Sequence, residues 1–101
     1  MTGFTIEQAA EREYRIGGDL VFATAKEILA AGEKLLENTS VVTFDLGGVS
    51  HTDSAGLAVL LEWMAIGRGS GTDIRYRNLP ESMLEIARMS NALSLLGRDA
   101  D

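Results

Sequence analysis

The stretch Val41-Val42-Thr43-Phe44-Asp45-Leu46 most constrains what this chain can fold into, because it is a β-branched, largely apolar run of strand length. Thr39-Ser40 precedes it and Gly47-Gly48 follows it, so it reads as a buried central strand. A loop over Gly47 to Asp53 then leads into a helix from about Ser54 to Arg68, so the core of the chain is a strand, a turn and a helix in sequence.

The flanking segments repeat that alternation. Thr5 to Gln8 and Glu13 to Ile16 read as a short N-terminal strand pair, with Gly17-Gly18-Asp19 as the turn after it. From Val21 the residues Phe22, Ala25, Ile28, Leu29, Gly32, Leu35 and Leu36 follow one helical face, ending near Asn38. Beyond the Gly69-Ser70-Gly71 break, Asp73 to Arg77 is a strand, and Pro80 opens a third helix in which Met83 and Met89 are core filler. The tail from Gly97 to Asp101 is polar and expected to fray. The expected architecture is α/β: a mixed β-sheet of about four strands with three to four helices packed over it, in one domain spanning residues 1–101.

Composition removes several function classes. A net charge of −6 argues against nucleic-acid binding, which needs clustered Lys and Arg, and Arg68, Arg75, Arg77 and Arg88 are better read as a solvated mixed-charge surface. With no cysteine there is no thiolate nucleophile or thiolate metal ligand, and neither a catalytic residue, a cofactor site nor a metal site is assigned. Residues 1–10 lack the pattern of a signal peptide and no apolar run reaches membrane-spanning length, so a cytoplasmic location without direct membrane insertion is expected.

The information-bearing segment is His51-Thr52-Asp53-Ser54-Ala55-Gly56. Asp53 and Ser54 are N-cap residue types, and a hydroxyl in the first helical turn stands where the helix dipole favours added negative charge, which makes Ser54 a possible phosphate acceptor. His51, Asp53 and Ser54 do not form a hydrolase triad, because residues this close along one turn splay apart instead of converging. On the helix, Leu57, Leu60, Leu61 and Met64 gather on the expected sheet-packing face, leaving Ala55, Val59, Trp63 and Ile66 as a second apolar stripe, expected outside the core as a partner site.

Asp45-Leu46, Val49 and Asp53-Ser54-Ala55-Gly56-Leu57 together resemble the signature of the STAS domains, named for sulphate transporters and anti-sigma factor antagonists. Within that family Leu57 to Trp63 and the Asn78-Leu79-Pro80-Glu81 turn look most like the STAS subunit of the Mla phospholipid-transport ABC complex. The resemblance implies a non-catalytic module that binds the transporter's cytoplasmic ATPase subunit and is held peripherally at the inner membrane through it. His51, Thr52, Asp53, Ser54, Ala55, Gly56, Val59 and Trp63 would form the contact. The alternative it implies is an anti-sigma factor antagonist, switched when an anti-sigma factor kinase phosphorylates Ser54; those antagonists commonly carry a hydroxyl residue where this chain has Ala55.

Overall fold

The structure is a computed structural model that describes residues 3–97; the tail residues 98–101, expected to fray, lie outside the described residues. Four strands form one sheet in the order β1-β2-β3-β4: β1 (Phe4–Ala10), β2 (Glu13–Leu20), β3 (Val41–Thr52) and β4 (Asp73–Arg77). The first pair is antiparallel and the other two are parallel, so the sheet is mixed. The helices are α1 (Phe22–Leu35), α2 (Ser54–Ser70) and α3 (Glu81–Met89), followed by a 3₁₀ turn at Leu93–Leu96. No helix among the described residues is long and apolar enough to cross a membrane.

Side chains alternate across a strand, and that alternation fixes the two sides of the sheet. Ile16, Leu20, Val42, Phe44, Leu46, Ile74 and Tyr76 are buried on the helix-covered face. The opposite face carries Arg15, Arg75 and Arg77 in ion pairs with Asp45, Asp73 and Glu13 respectively, which is the mixed-charge surface expected for the arginines there. Asp45 is itself buried on that face, where its Oδ1 accepts from the Gly47 N–H at 2.8 Å and from Asn78 Nδ2 at 3.1 Å. Those hydrogen bonds favour the charged carboxylate and hold it below its ordinary range.

Two expected turns are strand. The chain reverses at Glu11-Arg12, where Arg12 takes a φ of 62°, and Gly17-Gly18-Asp19 continues β2 through two irregularities of register. β3 likewise runs on through Gly47 to Thr52, where a loop was expected, because Gly17 pairs with Gly48 and the two backbones come together there. A Cβ on Gly48 would lie 3.1 Å from the Ile16 carbonyl oxygen. Glycine here permits close strand pairing, which a turn signal in the sequence does not distinguish from a reversal.

α2 lies against β3 and β4, and α1 beside it against β1 and β2. Its buried residues are Gly56, Leu57, Val59, Leu60, Trp63 and Gly67, whereas Leu61 and Met64 are only half-buried. The expected faces are therefore corrected: the helix is rotated toward the side that carries Trp63 and its glycines. A Cβ on Gly56 would collide with the Leu20 carbonyl, and one on Gly67 would stand 2.7 Å from the Thr72 carbonyl oxygen. Trp63 fills the seam, fully buried, with its ring stacked on Phe44 at 4.5 Å between centroids and its Nε1–H donated to the Leu29 carbonyl at 3.1 Å. Gly32 of α1 sits directly over the indole, so any side chain there would overlap it. The methionines divide: Met83 is fully buried, but Met89, expected as core filler, is 86% exposed.

Candidate interaction surface at the start of α2

The starts of α1 and α2 meet at one carboxylate. Asp53 has the extended backbone of an N-cap, and its Oδ1 accepts from the N–H groups of Ala55 at 2.9 Å and Gly56 at 3.1 Å. Its Oδ2 accepts from the N–H of Phe22, the first residue of α1, at 3.1 Å. The first N–H groups of a helix have no partner within it, so a single side chain here satisfies donors of two helices. Thr24 completes the α1 start by accepting from the Val21 N–H at 3.1 Å and donating to the Asp19 carbonyl at 2.6 Å.

Around this joint lie the exposed groups. Ser54 is exposed in the first turn of α2, while Phe22 is 82% exposed beside it on α1, and both Phe22 and Ala55 border a groove between the two helices. His51 is exposed, with its Nδ1 2.8 Å from Asp19 Oδ1; the hydrogen bond from the ring is the main cause that keeps the Asp19 carboxyl below its ordinary value. Asp53, the other acid of the segment, is committed to backbone donors.

The residues singled out in the sequence thus separate. His51 and Ser54 reach solvent, Asp53 holds the joint, and Ala55 lines the groove. Thr52 is half-buried with its hydroxyl 3.9 Å from Met83 Sδ, and Gly56 is buried. Val59 and Trp63, expected on an outward stripe, are 4% and 0% exposed: α1 covers Trp63, and Val59 is buried along the groove between the two helices. Ala55 and Ile66 alone of that stripe remain partly accessible. Phe22 is the residue that sequence reasoning misplaced. The buried face of α1 centres on Thr24, Ile28 and Gly32, and Phe22 stands about 120° around the helix from Ile28. Reading Thr24 as a buried capping residue would have moved the stripe and exposed Phe22.

This fold, with its mixed four-stranded sheet and its exposed first turn on α2, is the fold of STAS domains. The unphosphorylated anti-sigma factor antagonist SpoIIAA superposes with a TM-score of 0.69 at 16% identity, covering 89% of this chain and 82% of that one. A sulfate transporter family protein from Wolinella succinogenes gives 0.67 at 21% identity, covering 84% of this chain and 70% of that one. At such identities the likeness is one of fold. The chain matches the family model described as "Mlab, STAS domain" over residues 6–97, and it belongs to that family. No curated protein sequence matches it.

Proposed function

We propose that this STAS domain is a non-catalytic accessory module that docks on the cytoplasmic ATPase subunit of an ABC phospholipid transporter of the Mla type. In this reading it supports the ATPase's assembly or activity and is held at the inner membrane only through it. The observation that carries the reading is the pairing of Phe22 and Ser54: a large aromatic side chain left in solvent beside an accessible hydroxyl, on two helix starts tied together by Asp53. An aromatic anchor within a rigid polar rim is the usual make-up of a binding hot spot, and burying Phe22 on a partner would remove the exposed apolar surface. The match to the family model described as "Mlab, STAS domain" supports a transporter partner of this class.

The test is co-purification of the tagged domain with an ABC ATPase from native extract. Ser54→Arg and Phe22→Glu are expected to abolish capture while leaving the circular dichroism spectrum and melting curve unchanged. Retention of the ATPase by both folded variants would overturn the assignment of this surface.

A second reading has its own support in the exposure of Ser54 at the first turn of a 17-residue helix. In it the domain is an anti-sigma factor antagonist, and phosphorylation of Ser54 by a partner kinase adds roughly −1.5 to −2 charges where the helix dipole tolerates them. Mass spectrometry of the protein isolated from cells separates the two: a phosphate on Ser54 favours the switch, and an unmodified chain bound to an ATPase favours the transporter.

A further inference from the structure

The groove between α1 and α2 has a specific make-up. It encloses about 580 Å³ and its apolar wall is formed by Phe22, Ala25 and Leu29 from α1 and by Ala55, Val59 and Ile66 from α2. The two helices contribute at the same spacing. Phe22, Ala25, Lys26, Leu29 and Glu33 on α1 are matched by Ala55, Ala58, Val59, Glu62 and Ile66 on α2, each 33 positions later. Because Asp53 ties the two helix starts together, the stripes run side by side for three turns, roughly 16 Å at 1.5 Å per residue. Ala25, Ala55 and Ala58 keep the lining low, and Phe22 stands open at one end.

We propose that this groove receives an amphipathic helix of a partner protein, about three turns long, whose basic side chains lie over Glu33 and Glu62. The length and the i, i+3, i+4, i+7 spacing of both walls suit the ridge of a third helix seated between two others. Charge selects its chemistry: the rim carries Glu33 and Glu62 against Lys26 alone, in a chain whose net charge is −6. A second copy of this chain would bring surplus negative charge against its like, whereas a basic helix neutralises the rim. The inference rests on the proposed interaction role, since the protein that covers Phe22 is the natural owner of the helix, but the groove can be tested without that partner.

The probe is a fluorescein-labelled, hydrocarbon-stapled peptide of about twelve residues, with leucines on one face and lysines flanking them, read by fluorescence anisotropy. A scrambled peptide of the same composition and a version with glutamate for each lysine serve as controls. The lysine peptide is expected to bind about tenfold or more tightly than either control. Ala58→Arg, which places a cation at an exposed position of the lining, is expected to cut that affinity by a similar factor, and Ser82→Arg, the same charge change at an exposed position of α3 outside the groove, to leave it unchanged. Equal binding of the scramble, no binding of the lysine peptide, or indifference to Ala58→Arg would overturn the proposal. So would a dimer in sedimentation that Ala58→Arg dissolves, since a second copy would then own the groove. Peptide binding without capture of any ABC ATPase would sink the transporter reading and leave the groove standing.

Discussion

Two regions of α2 divide its labour: the seam around Trp63 is buried and holds the molecule together, whereas the Ser54 side chain in the first turn stays open to solvent. They lie less than three turns apart on one helix. What separates them is α1, which closes over Trp63 through Gly32 and carries Phe22 off its own buried face into solvent. A tryptophan is therefore no guide to an interface by itself; the side chain that binds is decided by what the neighbouring helix covers.

The sharpest way to break this division is Trp63→Ala. Removing a fully buried indole that stacks on Phe44 leaves a cavity under α1, and the loss is expected to be about 3–5 kcal/mol. Against a total of roughly 5–15 kcal/mol the variant should be marginal, melting lower by roughly 4–8 °C for each kcal/mol lost. A fall of less than about 1 kcal/mol in urea denaturation would mean that the ring is not the seam.

Asp53 tests the joint between the regions. Each cap is worth ~1 kcal/mol, so Asp53→Ala, which uncaps both helices, is expected to cost about 2 kcal/mol. Asp53→Asn should cost about half of that, because the amide keeps one oxygen acceptor but turns a donor toward the other helix's N–H. Equal losses for both variants would show that only one of the two helices depends on the side chain.

How much of this was legible in the sequence follows the same division. Val41 to Leu46 announced the central strand as a β-branched, largely apolar run, Asp73 to Arg77 matched β4 residue for residue, and the Asp53-Ser54 pair marked the start of α2. What escaped was angular and non-local. The apolar arc of α2 is so wide that counting leucines cannot say which part meets the sheet; the glycines at 56 and 67, which permit the closest approach, carry no hydrophobic signal. The burial of Trp63 depends on Gly32, and the joining of the two helix starts on a bond from the Phe22 N–H to Asp53; each partner is about 30 residues away, beyond any local window. The Gly17-Gly18 and Gly47-Gly48 pairs were misread as turn and loop because their reason is the neighbouring strand.

Asp45 shows that a polar group can belong with the seam. Its carboxylate is buried and hydrogen-bonded to Gly47 and Asn78, and its folded-state pKa is lowered. A depressed acid contributes stability that is fully present above the unfolded value near 4 and is lost as pH falls through the folded one. The domain should therefore weaken below about pH 4, and Asp45→Asn, which cannot ionise, should lose less of its own stability between pH 7 and pH 3 in urea titrations. An unchanged acid limb in the variant would place the sensitivity in other carboxylates.

The smallest effect on stability is expected at the place proposed to matter most for binding. Ser54→Glu puts a negative charge at the first turn of α2, where the helix dipole favours it and Asp53 opposes it, so the two contributions nearly cancel. The change in unfolding free energy should stay within about 0.5 kcal/mol, as for surface substitutions generally. Capture of the partner should nevertheless fall, because the carboxylate must be desolvated in a contact that accepts a neutral hydroxyl. A loss of stability comparable to that of Asp53→Ala would show that the first turn is structural after all, and the contrast between the two regions of α2 would fail.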